Sequence, residues 1–226
     1  STLDGTLFPY TTLFRSVGTP KPNKLGLLGE TLGNVYYAID YLKSPEAYRL
    51  GKNVVVVGAG NVALDAARIA VRNIGLGGTV TVINSLPEEE MTGNKNEVFQ
   101  AIEEGVRFVH LQQTIKLEEH QVKCVAVKVM KNENGPMYEE DFSCVTEIPA
   151  DSIIVAIGQG PQSAVTRESN VLKTQRGLVD ADENGHTSSK GVFAAGDIVT
   201  GPKTVVEAVA FAKKAADEIE KYCLGN

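Results

Sequence analysis

The stretch NVVVVGAGNVALDAAR, residues 53–68, constrains the fold more than any other part of the sequence. Its run of valines predicts a strand buried on both faces, which is typical of a parallel sheet covered by helices. Gly58 permits a tight turn out of the strand, Gly60 has no Cβ to block a ligand, and Ala63 lets a helix pack closely. A helical pattern then continues to about residue 73. The sequence therefore predicts a strand, a glycine turn and a helix.

This turn has the properties of an anion site. The first N–H groups of a helix, among them that of Val62, have no acceptor inside the helix, and the helix dipole adds about half a positive charge there. Such groups hold the pyrophosphate of a dinucleotide. A second strand, residues 80–83, follows within one βαβ unit and favours a nucleotide site over a plain strand–helix turn.

The end of the second strand is where NAD and NADP are distinguished. An acidic residue there favours the free ribose hydroxyls of NAD, and an arginine favours the 2′-phosphate of NADP. This chain has Asn84 and Ser85 after Ile83, and we predict that both contact the nucleotide without deciding between the two. Three glutamates, residues 88–90, would repel a phosphate if they faced the site, but an acidic run is also an ordinary solvated helix start.

The rest of the chain continues the alternation of helices and strands. The sequence predicts an α/β fold, in which a Rossmann-like NAD(P)-binding domain has a parallel sheet and a β-meander insert. The other expected elements are helices at 35–42, 96–104 and 204–222, strands at 106–111, 152–157, 177–179 and 192–194, and a hairpin or meander at 121–146 with its turn at 132–135. In the last helix, the apolar positions 205, 209, 212, 216 and 219 form one face.

Composition narrows the class of protein. The net charge of −6 gives no attraction to nucleic acid or to an anionic membrane, and no apolar run approaches the length of a membrane span. The three cysteines form no Cys-x-x-Cys pair, and the three histidines lack metal-ligand spacing, so we expect no metal site. We expect a cytoplasmic protein, with its thiols reduced.

The opening segment, residues 1–16, reads STLDGTLFPYTTLFRS and is expected to be non-native. It resembles the translation of a sequencing-library adapter, with residues 6–16 carrying the likeness. A native strand or loop is the competing interpretation, since its leucine, phenylalanine and tyrosine side chains could pack. The segment lacks the basic start and apolar core of a secretion signal.

Five further stretches occur in order along the chain. They are VGTPKPNKLGLLGE with VYYAIDYL, VVVVGAGNVALDAAR, EEEM with AIEEGVRF, ADSIIVAIGQGPQ, and GVFAAGDIVTGPKTVVEAVAFAKKAADEI. Together they resemble the FAD-dependent pyridine nucleotide oxidoreductases of the glutamate synthase small-subunit type. The likeness covers nearly everything after Ser16. In this type, the fingerprint GAGNVALD includes Asn61 and Asp65, and the stretch ADSIIVAIGQGPQ includes Gly158.

The resemblance implies a FAD domain interrupted by an NAD(P)H domain. Residues 17–50 would then be the crossing segment, 51–162 the NAD(P)-binding domain, and 163–226 the C-terminal part of the FAD domain. Asp197, after Gly196, would bind the ribityl chain of FAD, and the helix start at Thr204, Val205 and Val206 would face the flavin. The intact parent would pass a hydride from NAD(P)H to FAD and then electrons to a partner subunit or iron–sulfur protein. No general acid or base is assigned to the chain.

Two departures and two alternatives accompany the resemblance. The tyrosine–arginine–arginine run of the family is replaced by Ile83, Asn84 and Ser85, and losing two charge-assisted hydrogen bonds would weaken NADPH about a hundredfold or more. Ala212 stands where the family commonly has glycine. Without the first half of its FAD domain, we expect the chain to be inactive alone. One alternative is a non-catalytic nucleotide-binding module, and the other is a thioredoxin-reductase-like flavoprotein, which would need a Cys-x-x-Cys motif.

Overall fold

The computed structural model describes residues 16–132, 135–162, 174 and 177–225. The chain forms two units, of which the first is Pro22–Gly158. The second is formed by the described residues of the flanking segments, Ser1–Lys21 and Gln159–Asn226. Within the described residues, every helix falls short of the length or apolarity that a bilayer crossing requires.

The elements alternate as the sequence predicts for an α/β protein. In chain order they are β1 (Lys21–Pro22), β2 (Val35–Tyr37), α1 (Ala38–Lys43), a 3₁₀ turn (Pro45–Ala47), β3 (Asn53–Val57), α2 (Asn61–Ile74), β4 (Thr79–Ile83), a second 3₁₀ turn (Glu88–Glu90), α3 (Lys95–Glu103), β5 (Arg107–Val109), β6 (Gln112–Leu117), β7 (Gln121–Asn132), β8 (Gly135–Pro149), β9 (Ser152–Val155), β10 (Gln159–Gly160), α4 (Asp197–Thr200) and α5 (Val205–Leu224).

The first unit is organised around a five-stranded sheet in the order β2-β9-β3-β4-β5, with every pair parallel. The valines of β3 are buried on both faces, because helices cover one face and the β6–β8 sheet supplies residues to the other. This arrangement confirms the predicted parallel α/β fold.

Helix α2 packs closely on the sheet because its buried face is made largely of alanine. Ala63, Ala66, Ala67 and Ala70 are buried together with one larger side chain, Leu64. Small side chains bring a helix near a sheet and leave little volume to fill. Val62 and Ile69, which the helical pattern also places on this side, are only partly buried.

The helix predicted at 35–42 was wrong at its start. Residues Val35–Tyr37 form β2, which pairs with Ile153, Ile154 and Val155 of β9, and α1 begins only at Ala38. A β-branched residue and two tyrosines suit a pleated edge strand, and the open edge of β9 offers them a complete ladder. Long-range pairing therefore outweighs the local helical spacing.

The predicted meander is larger than the sequence suggests. Three antiparallel strands, β6, β7 and β8, cover residues 112–149, and a register shift interrupts β7 and β8 between Val125 and Ala126. The predicted turn at 132–135 lies partly outside the described residues. Strand β6 was missed because its alternation, in QQTIKL, places only Thr114 and Leu117 in the core.

The second unit contains few regular elements. The strands predicted at 177–179 and 192–194 are wrong: Ala181 forms an isolated bridge with Thr187, and His186 forms one with Phe193. Helix α5 is as long as predicted, but Ala215 is its one buried residue among those described. The apolar face that the helical pattern predicts, from Val205 to Ile219, is therefore exposed in this chain.

Glu104 joins α2 to the end of α3, and this contact leads to a pH prediction. Its Oε1 accepts hydrogen bonds from Nη2 of Arg68 at 2.6 Å and from Nη2 of Arg72 at 3.0 Å. The hydrogen bonds from Arg68, followed by those from Arg72, hold the pKa of Glu104 below its ordinary value of 4.5. A lowered pKa in the folded state adds stability above the unfolded pKa, and this stability is lost as the pH falls through the folded pKa.

We therefore expect Glu104→Gln to lower the thermal midpoint by a few degrees at pH 7. The difference between variant and parent should begin to shrink below about pH 4.5, where the carboxylate of the unfolded chain becomes protonated, and should disappear below the lower pKa of the folded state. Thermal denaturation of both proteins from pH 7 to pH 3 measures this. Glu97→Gln, on the same helix, is the matched control. An unchanged difference down to pH 3 would show that the ion pairs are not its source.

Candidate functional site

The carboxyl ends of β3, β4 and β9 meet at one edge of the sheet, and the glycine turn lies there. The N–H of Gly58 donates to the carbonyl oxygen of Ile83 at 3.0 Å, and the N–H of Ala156 donates to that of Val57 at 2.8 Å. Gly58 has φ +150°, and a Cβ on it would lie 2.9 Å from the carbonyl carbon of Ala156. The fold itself therefore requires glycine at position 58.

Gly60 differs from Gly58, because neither its conformation nor its surroundings require glycine. Its φ is −100°, and a Cβ there would meet one neighbour, Thr92 Oγ1, at 3.4 Å. Gly60 is the N-cap of α2, and among the described residues no acceptor meets the N–H groups of Asn61 and Val62. The absence of a side chain leaves this backbone open to a ligand.

The side chain of Asn61 is used inside the fold. Its Oδ1 accepts a hydrogen bond from the N–H of Asn94 at 2.7 Å, and the N–H of Gly93 donates to Ala59 at 2.9 Å. Asn94 in turn caps α3 by accepting from the N–H of Asn96. Residues 92–94 thus form a wall beside the glycine turn. Sequence reasoning missed this wall, although an asparagine before a helical pattern is a recognisable N-cap signal.

Asn84 also has both ends of its side chain engaged. It is 6% exposed, its Oδ1 accepts from the N–H of Leu86 at 3.0 Å, and its Nδ2 lies 3.3 Å from Nδ1 of His110. Because Oδ1 must accept, Nδ2 donates to His110, whose imidazole stacks on Phe108. Ser85 follows and is partly exposed. At the end of β4, the hydrogen bonds of Asn84 hold the loop that follows the strand in place. The side chain of Ser85 remains available to a ligand.

Two further predicted residues of the first unit lie in different surroundings. Gly158, after β9, has φ +93° and accepts from the N–H of Asn23 at 3.1 Å, so it belongs to the same edge of the sheet as the glycine turn. Asp65 is exposed on α2 and lines a cavity of about 340 Å³ with Leu42, Arg68, Ile69 and Arg72. Gly58 and Gly60 do not line that cavity.

The second unit carries the remaining predicted residues. Gly196 has φ +76° and precedes α4, where Oδ1 of Asp197 accepts from the N–H of Lys203 at 3.3 Å. Thr204 and Glu207 form a capping box at the start of α5. Val205 and Val206 follow with exposed fractions of 79% and 78%. Within the described chain, no acceptor meets their N–H groups.

The thiols are not arranged for disulfide chemistry. Burial raises the pKa of the Cys124 thiol to about 11, while Cys144 and Cys223 are exposed and free. A thiol with a raised pKa is a poor nucleophile. In the part of the chain that the structure describes, no group of three His, Cys, Asp or Glu side chains could hold a metal ion.

Comparison with known proteins agrees with this architecture. The sequence model of one family, described as pyridine nucleotide-disulphide oxidoreductase, matches residues 3–212. That range begins inside the opening segment, whose non-native origin stays a prediction. The chain is 32% identical to the glutamate synthase [NADPH] small chain of Escherichia coli, matching 97% of this chain and 52% of the relative.

Two other similarities are informative. The NADP(+)-dependent formate dehydrogenase subunit beta of Moorella thermoacetica is 32% identical, over 98% of this chain and 33% of that protein. The solved thioredoxin reductase of T. acidophilum gives a TM-score of 0.71 at 23% identity, covering 92% of this chain and 64% of that one, and this likeness concerns the fold alone. The chain thus spans about half the length, or less, of these two sequence relatives.

Proposed function

This chain belongs to the pyridine nucleotide-disulphide oxidoreductase family, and from that premise we propose that it contributes the nicotinamide-nucleotide domain and part of the FAD domain of a flavin-dependent oxidoreductase. The parent protein would pass a hydride from NAD(P)H to FAD, and then electrons to a partner, as the glutamate synthase small-subunit type does. The open backbone at Gly60, beside the free N–H groups of Asn61 and Val62, is the observation that carries the proposal.

The nucleotide would bind along the carboxyl edge of the five-stranded sheet. Its pyrophosphate would rest on the start of α2, where a Cβ at Gly60 would project into the ligand, and the helix dipole would favour the negative charge. Gly58 allows the tight turn after β3. The small buried side chain of Ala63 lets α2 pack closely against the sheet. Asn61 would act by holding residues 92–94 beside the phosphates, since its Oδ1 is occupied by Asn94.

The second unit fits part of a flavin site. One oxygen of Asp197 accepts from the N–H of Lys203, and the other, which accepts from none of the described residues, could accept from a ribityl hydroxyl. The capping box satisfies the N–H groups of Thr204 and Glu207, and the N–H groups of Val205 and Val206 remain for the electron-rich edge of the flavin. The exposed apolar face of α5 supports the same proposal, because a helix with one buried residue needs a further surface to cover it.

Bound NAD(P)H supplies the hydride and bound FAD accepts it, so the chemistry belongs to the cofactors. The protein would contribute position and electrostatic stabilisation: backbone N–H groups would hold the phosphates, Asp197 would hold the ribityl chain, and the start of α5 would favour negative charge. No side chain needs to act as a general acid or base.

An electron-accepting partner is the second part of the proposal. The two sequence relatives described above are named as a small chain and a subunit, which supports a subunit or iron–sulfur protein as acceptor. The thioredoxin-reductase-like alternative receives no support from the thiols, since no Cys-x-x-Cys motif occurs in the sequence and Cys124 is buried.

Titration of NADH and NADPH against the 226-residue chain tests the nucleotide site. We expect saturable binding of at least one, with ADP-ribose competing and adenosine failing to compete at the same concentration, because only the former carries the pyrophosphate. Calorimetry or quenching of nicotinamide fluorescence measures this. Equal competition by adenosine would contradict a site built on the phosphates, and no binding of either dinucleotide would refute the proposal.

A further inference from the structure

We propose that this site, if it binds nucleotide as set out above, takes NADH in preference to NADPH, because the end of β4 offers no cation to a 2′-phosphate and is followed by a fixed acidic turn. The preference rests on three features of the first unit: the inward side chain of Asn84, the lack of basic residues in the segment of chain that contains it, and the position of Glu90. It is the reverse of the cofactor in the names of the two sequence relatives, which are NADPH for the glutamate synthase small chain and NADP(+) for the formate dehydrogenase subunit.

The residue that follows β4 cannot reach a ligand. Asn84 is buried, and its amide is fixed by Leu86 on one side and His110 on the other. In a βαβ nucleotide site, the side chains at this point face the ribose of the adenosine. Ser85 is the next residue, and its hydroxyl can hydrogen-bond a ribose hydroxyl but cannot neutralise a phosphate.

Positive charge is lacking around this point. Residues 73–94 contain no lysine, arginine or histidine, and Arg72, which precedes them, is held by Glu104. The Nδ1 of His110 is engaged by Nδ2 of Asn84. A 2′-phosphate, with its charge between −1 and −2, would therefore find no cation in the segment that runs from β4 to the acidic turn.

The acidic turn adds repulsion. Glu88, Glu89 and Glu90 form an exposed 3₁₀ turn three residues after Ser85. The hydroxyl of Tyr138, on β8, hydrogen-bonds Glu90, and this contact with the carboxylate raises the pKa of Tyr138 to about 12. This hydrogen bond joins the acidic turn to the antiparallel sheet and holds the turn near the end of β4.

Dissociation constants of NADH and NADPH for the whole chain test the inference. We expect NADH to bind at least tenfold more tightly in low salt, and the ratio to fall in 0.5 M salt, because screening weakens repulsion between exposed charges. Ser85→Arg should tighten NADPH at least tenfold, because it adds a cation, and should weaken NADH, because it removes the hydroxyl that meets the ribose. Ser85→Lys is the second variant if the arginine disturbs folding.

Thr31→Arg is the matched control, since it adds the same charge in an exposed turn before the amino end of β2, at the opposite edge of the sheet. It should leave the ratio unchanged. NADPH binding as tightly as NADH would overturn the inference and leave the proposed nucleotide site standing. Binding of neither dinucleotide would overturn both. A ratio that Thr31→Arg shifts as far as Ser85→Arg would also overturn it, because the effect would then be one of net charge.

Discussion

Replacing Gly58 with alanine is expected to lower the free energy of unfolding by about 2–4 kcal/mol. The added Cβ would meet the carbonyl group of Ala156, and a residue with φ +150° is outside the region that alanine adopts. The backbone cannot yield without breaking the hydrogen bonds that join the ends of β3, β4 and β9. Urea denaturation followed by circular dichroism measures the loss.

Gly60→Ala is the matched control two residues away. Its φ and surroundings admit a methyl group, so we expect the free energy of unfolding to change by about 1 kcal/mol or less, the size of a weakened N-cap. Nucleotide affinity should nevertheless fall at least tenfold, because the methyl would occupy the approach to the phosphates. Equal destabilisation by both variants, or unchanged affinity in Gly60→Ala, would contradict the separate roles assigned to the two glycines.

Replacing Asn84 with alanine is expected to lower the free energy of unfolding by about 2–3 kcal/mol. The change leaves the N–H of Leu86 and Nδ1 of His110 without their partners and empties a buried volume. Ser85→Ala, at the adjacent and partly exposed residue, should change stability by less than about 0.5 kcal/mol.

Chemical denaturation of these two variants separates a structural role from a ligand contact. If Asn84 held the nucleotide, as its position in the sequence predicts, its loss would reduce affinity and leave the stability of the free protein almost intact. Such a result would overturn the role that its hydrogen bonds indicate.

The parts of the fold that could be predicted were those set by a single local pattern. The run of valines in β3 is compatible only with a buried strand, and Gly58 directly after it indicates a tight turn. The strand at Val35 could not be predicted, because its partner Ile153 lies far along the chain and the local spacing also suits a helix. The same holds for Asn84, whose inward orientation depends on His110 at the end of β5.

Helix α5 was predicted correctly as a helix, but its surroundings could not be predicted. Its apolar periodicity identifies the face that should be buried, and that face is present from Val205 to Ile219. Periodicity carries no information about which segment covers it. The predicted core residues of this helix are accordingly exposed, whereas the equivalent pattern in α2 lies against the sheet.

The place of β9 between β2 and β3 has a consequence for biosynthesis. The last strand of the sheet to leave the ribosome is inserted between the two that leave first, with partners on the order of a hundred residues upstream. Until β9 emerges, the edge of β3 that will pair with β9 stays unpaired. Folding of this unit should therefore be completed only after nearly all of its residues have been synthesised, and a chaperone that binds exposed strands could bind β3 during that time.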